Sequence, residues 1–218
     1  SGTAGTTGAA GTSGAAGTTG TAGTSGTAGT MGVSIHGCSD GSREGFLDTT
    51  KYPSVAACSG AWDEPGLSST ASRVPKCNRH AGNDGERPTG GGCSAADLCA
   101  VGWRVCENAD VLAGISGGCN DAIAPFADSR VFFVTRQHSN GIVCSATAQG
   151  ANNVYGCGNF GGTSDHSCNP LTRLLRDSDC DNNAPWSCSS GTLGMDFNEL
   201  DQIVKGGPLH GGVLCCKD

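Results

Sequence analysis

The chain opens with no alternation of apolar and polar positions. From Gly2 to Gly32 glycine recurs at every third place, and the positions between hold ten Thr, seven Ala, two Ser and one Met. No charge, proline or aromatic residue interrupts the run. Such a segment has no face to bury and cannot build a hydrophobic core. A strict period of three instead permits three left-handed extended strands wound together, with the side-chain-free residue at the crowded axis. At roughly 3 Å rise per residue the segment would span on the order of 90 Å.

Past residue 32 the pattern changes to that of a folded head. Residues 33–76 read as turn-rich, with Phe46, Tyr52, Val55 and Trp62 as core contacts. Residues 77–93, CNRHAGNDGERPTGGGC, form a polar loop closed by cysteines. Ser94 reads as the N-cap of a helix, AADLCAVG, stopped at Gly102, with Ala95, Leu98 and Cys99 inward and Asp97 outward. WRVC at 103–106 alternates like a strand, and Asn108 caps a second helix, ADVLAGI, ended by Gly114 and Gly117-Gly118. VFFVTR at 131–136 and GIVCSAT at 141–147 are the clearest strands, with a hairpin turn between them. NNVYGCGNFGG, LTRLL and GGVLCC close the head as short pieces between turns. The domain division is therefore 1–32 for a stalk and 33–218 for a globular head.

All 14 cysteines lie in the head: Cys38, Cys58, Cys77, Cys93, Cys99, Cys106, Cys119, Cys144, Cys157, Cys168, Cys180, Cys188, Cys215 and Cys216. An even number without a paired C-x₂-C knuckle or H-x₃-H reads as a disulfide framework rather than a zinc site. Spacing alone leaves the pairing open. The framework implies an oxidising compartment, outside the cell or at its surface. A net charge of −7 with no basic stripe argues against a nucleic-acid partner. No run of 18 apolar residues is present, so no membrane insertion is expected, and any signal peptide is expected to be removed or to lie outside this numbering. The chain also lacks an Asn-x-Ser/Thr sequon.

The Gly-X-Y register of residues 2–32 resembles a bacterial-type collagen-like region, although the proline usual in that family is absent. The resemblance implies a homotrimer, and polymerisation into a fibre is one extension of it. O-glycans on Thr3, Thr6, Thr7, Thr12, Thr18, Thr19, Thr21, Thr24, Thr27 and Thr30 would stiffen strands that lack proline. Two other readings of the same run are a disordered, O-glycosylated spacer and an ice-binding bundle of extended segments. The head is similar to the C-type lectin-like fold and its endostatin-type relatives, on Cys99, Gly102–Val105, Trp186–Cys188 and Val213–Cys216. That resemblance implies that Cys99 bridges to Cys215 or Cys216. The family's Glu-Pro-Asn sugar motif is missing, since Glu64-Pro65 is followed by Gly66. The expected fold class is thus α+β: a collagen-like triple-helical stalk followed by a disulfide-rich, C-type lectin-like head.

Candidate chemistry is sparse. In DSDCDNN, Asp177, Asp179, Asp181 and Asn183 could converge on one hard cation, and Ca²⁺ accepts six to eight such oxygens. The alternative there is a solvated acidic loop tied down by Cys180. Asn83, Asp84 and Glu86 form a weaker second set. Trp186, beside the acidic loop, is a candidate for stacking on a sugar, against the ordinary role of core filler. GISGG at 114–118 fits the nucleophile-elbow pattern around Ser116, but a helix-like stretch precedes it where the elbow needs a strand. His36, His80, His138, His166 and His210 are scattered on polar stretches. No catalytic residue is expected. The expected function is a structural or adhesive subunit of a surface fibre with itself and glycans as partners, the alternative being a soluble Ca²⁺-dependent lectin.

Overall fold

The computed structural model describes residues 34–67, 74–107, 118–126, 130–136, 154–158, 162–163, 171, 173–175, 184–188 and 199–218. The chain divides into two units, Ser1–Thr30 and Met31–Asp218, and the described residues all belong to the second. They form a disulfide-rich α+β domain, mostly sheet, with nine strands and very short helices. None of these helices is long and apolar enough to cross a membrane.

The central strand is β9, Gly211–Lys217, in which six consecutive residues are buried. Along one edge it pairs antiparallel with β1, Val55–Ser59, from Val55↔Cys216 to Ser59↔Gly212. Its other edge is shared. The first half takes β3, Phe132–Val134, in parallel, and the second half takes β2, Trp103–Val105, antiparallel. Beyond β3 lie β4 (Val154–Gly158), β6 (Arg173–Leu175) and β5 (Gly162–Thr163). A separate two-stranded ribbon joins β7, Trp186–Ser187, to β8, Val204–Lys205. Gly211 must be glycine: at φ +94° any Cβ would stand 2.0 Å from the Phe132 carbonyl oxygen.

Side chains alternate through this sheet, yet both faces are buried, because each is covered by its own core. On one face Ala56, Cys58, Phe132, Val134, Val154, Val213 and Cys215 pack with Trp62, Trp186, Leu98 and Ile203. On the other, Val55, Ala57, Phe133, Tyr155, Leu214 and Cys216 pack with Phe46, Tyr52 and α1, Asn120–Ile123. The four core contacts expected in residues 33–76 are all buried there. Adjacent Cys215 and Cys216 point to opposite faces. Cys215 bridges Cys99 on the first face, and Cys216 bridges Cys106 on the second. Further bridges join Cys38 to Cys58, Cys77 to Cys93, and Cys119 to Cys157.

The expected helix from Ser94 to Gly102 is a single 3-10 turn, Ala95–Leu98. Its Ser94–Asp97 capping box is present, but Cys99 leaves the helix in an extended conformation, φ −92° and ψ 140°. There it pairs with Cys38 and reaches Cys215, which a helical continuation would not allow. Asp97, expected to face outward, is fully buried. Its carboxylate accepts from the main-chain N–H groups of Lys76, Cys77, Arg79 and Ser94 and lies 3.0 Å from Ser94 Oγ. The second expected helix, over ADVLAGI, and the GIVCSAT strand lie outside the described residues. Near the start of the head, the Arg43 guanidinium is directed onto the carbonyls of Ile35, His36, Phe46 and Tyr52. It also lies over the Trp103 ring, 5.7 Å from the centroid.

Candidate functional site

Two loops distant in sequence meet beside β1. The 40s loop brings Asp40, Ser42 and Glu44, and the loop closed by Cys77–Cys93 brings Asn83 and Asp84. Asn83 is anchored by its main-chain N–H, which donates to the Ser59 carbonyl at 3.1 Å. With its amide nitrogen facing the acids, Asn83 donates to Asp40 Oδ2 and Glu44 Oε1, both at 3.0 Å. The Ser42 hydroxyl lies 2.9 Å from Asp40 Oδ1 and 2.7 Å from Glu44 Oε1, so its one proton is shared between them. The main-chain N–H groups of Ser42, Ser59 and Asp84 also donate, to Asp40 Oδ1, Glu44 Oε2 and Asp40 Oδ2 at 3.1, 2.6 and 3.3 Å.

Burial raises the Glu44 carboxyl above its ordinary pKa, hydrogen bonds from Ser42 and Ser59 oppose the shift, and the nearby Asp40 charge adds to it. Two carboxylates converging on one amide and one hydroxyl can share a proton or offer oxygens to a hard cation. Beside them opens a shallow cavity of about 340 Å³, lined in part by Ser39, Asp40, His80 and Asp84. Gly82 lets the loops approach this closely, since a Cβ there would lie 2.3 Å from Asp40 Oδ2. Nothing in the sequence singles out Asp40 or Glu44. Their partners lie some 40 residues away, and no spacing within either loop signals the encounter.

The residues expected from sequence fall in different places. Asn83 joins this cluster through its side-chain amide and Asp84 through its main-chain N–H alone, whereas Glu86 turns away to lie 2.5 Å from His80 Nδ1. Asp177, Asp179, Asp181 and Asn183 lie outside the described residues, as do the ten threonines, Ser116, His138 and His166. Trp186 is 2% exposed. Its ring sits edge-on to Trp62 and Phe132 with Lys205 above it, so it offers no open face to a ligand. Cys188 is also disulfide-bonded, while Cys144, Cys168 and Cys180 lie outside the described residues. Cys77, Cys93 and Asp97 have ligand atoms close together. Both sulfurs are in one disulfide and the carboxylate is saturated with N–H donors, so this is no metal centre.

One buried cation stands apart. Lys205 Nζ is enclosed in the core, donating to the Gly60 carbonyl at 2.8 Å and to that of Gly207. Burial lowers its pKa from 10.5 to about 7. A neutral amine has two hydrogens to donate, which matches the two carbonyls. It is fully buried and serves the packing of β8 against Trp62 and Trp186. No protein-family model matches this chain, and neither does any solved structure.

Proposed function

We propose that this chain is an extracellular structural or adhesive protein, a subunit of a surface fibre or appendage. Three copies wind their Gly-X-Y segments into a collagen-like stalk, and each carries a disulfide-stapled head for assembly or adhesion. The observation that carries this reading is the unbroken glycine register from Gly2 to Gly32, joined directly to a cysteine-rich head. Support comes from the five bridges whose cysteines both lie among the described residues, a density that belongs to oxidising compartments. Cys99–Cys215 is a bridge of the kind that a C-type lectin-like architecture implies. The test is the mass of the native full-length chain by sedimentation equilibrium, together with its circular dichroism on heating. A trimer with a cooperative loss of the extended-helix signal is the expected result, and a monomer at every concentration removes the proposal.

A second reading, a soluble Ca²⁺-dependent lectin-like protein, draws support from the convergent carboxylate oxygens of Asp40 and Glu44. Asp177, Asp179, Asp181 and Asn183 would supply a further acidic set. Binding to a glycan array that EDTA abolishes and Ca²⁺ restores would favour it. Indifference to EDTA would leave the fibre subunit.

A further inference from the structure

We propose that Arg79 and the two cavities it lines form a binding site for an acidic saccharide, whose carboxylate meets the guanidinium and whose hydroxyls meet the neighbouring acids. This deepens the adhesive part of the reading above and rests on it. The larger cavity is an open groove of about 600 Å³, with Ser34, Pro75, Asn78, Ala100 and Val101 in its walls. That size falls in the range of about 300–1,000 Å³ usual for small-ligand sites. The smaller, about 340 Å³, is the cavity beside Asp40 and Asp84. Ser39 and Arg79 line both, so one ligand can reach the two.

The guanidinium is held by one side only. Its Nη1 donates to the carbonyls of Ala96 and Trp103 at 3.3 and 3.4 Å, and to that of Cys99. Nε and Nη2 form the opposite edge, donate to no described residue and stay open to solvent. The two N–H groups of that edge match the two oxygens of one carboxylate. The backbone keeps this pose against its own preference. Asn78 and Arg79 stand at φ +56° and +61°, a region that favours glycine. The Asp97 carboxylate, accepting from the Cys77 and Arg79 N–H groups, and the Cys77–Cys93 bridge hold them there.

Charge selects the ligand. Arg79 is the one charged residue among the described ones that line the larger groove. The charges that act on it, Asp97 and Asp218, each have other partners. Asp97 accepts from the main-chain N–H groups of Lys76, Cys77 and Ser94, and Asp218 lies 3.3 Å from Arg104. The smaller cavity has the opposite chemistry. Asp40, Asp84 and Glu86 line it, and ionised carboxylates accept hydrogen bonds without donating any. A ligand spanning both must bring a carboxylate to one end and several donors to the other. A sugar acid does this, and the C–H face of its ring suits Pro75, Ala100 and Val101.

The experiment titrates trigalacturonic acid into the full chain by calorimetry at pH 7 with EDTA present. Its methyl ester keeps the rings and loses the charge, and triglutamate keeps the charge and loses the rings. The acid should bind, and the other two should bind at least about tenfold more weakly. Val101→Glu sets a carboxylate into the groove without touching the guanidinium's carbonyl contacts, and Arg79→Lys keeps the charge but removes the fork. Each should weaken the acid at least about tenfold, whereas Leu209→Glu, at an exposed position lining neither cavity, should match the parent. Equal binding of the ester or of triglutamate, or a Val101→Glu chain that binds like the parent, overturns the site. Sedimentation equilibrium on the same samples separates this from the fibre reading. A trimer that ignores the acid overturns the site and leaves the fibre, whereas a monomer that binds it supports the site and removes the fibre.

Discussion

Lys205 and Asp97 show how single polar side chains are accommodated in a core this small. For Lys205 the folded pKa, about 7, lies below its ordinary 10.5. Between those values the unfolded chain binds the extra proton, so this residue makes stability rise with pH from about 7 to about 10.5 and adds no pH dependence below. Lys205→Met should abolish that rise. It should also destabilise the head at pH 9 by about 1–3 kcal/mol, because two buried carbonyls lose their donor. Urea midpoints of both proteins at pH 6, 8 and 9.5 measure the difference; parallel pH profiles would exclude this role. Asp97→Ala strands several buried N–H groups at once and should cost about 3–5 kcal/mol, with Asp97→Asn costing less. Chemical denaturation of the two variants tests that order.

At the level of elements, β9 holds the head together. Cys99–Cys215 and Cys106–Cys216 close loops with sequence separations of 116 and 110 residues, so each should stabilise by roughly 4–5 kcal/mol on chain-entropy grounds. Replacing either pair by alanine should lower the denaturation midpoint by a comparable amount, and an unchanged midpoint would mean the bridge adds nothing to the sheet. β3 and β9 are legible in the sequence because VFFV and GVLCC are apolar on both faces. β1 is not: VAACS is short, small and set among turns, and becomes a strand only because β9 lies beside it. α1 and α2 (Glu199–Gln202) are single turns, too brief for any 3.6-residue period to register. Asp97 reads as a solvated first-turn acid because three of the main-chain N–H donors it accepts from, those of Lys76, Cys77 and Arg79, carry no pattern of their own. The Asp40–Glu44–Asn83 encounter is hidden for a related reason: it depends on tertiary pairing across two loops, each locally an ordinary polar turn.

For the molecule as a whole, the folded head and the glycine register answer to different forces. The head has two cores and its own covalent staples, so residues 31–218 alone should retain the full chain's urea midpoint to within about 0.5 kcal/mol. On the proposed trimer, the same fragment should lose association by a factor on the order of 100 or more, because wound strands would hold the heads at high effective concentration. Equal association of fragment and full chain would show that the heads assemble without the repeat. The position of β9 has a further consequence for how the protein is made. It follows every other described strand in the chain, and both long-range bridges close only on its adjacent cysteines. As the chain is made, Cys99 and Cys106 emerge more than a hundred residues before their native partners, so neither native bridge can close until β9 is complete. A chain interrupted before Cys215 would carry both cysteines without their native partners and lack the central strand of its sheet.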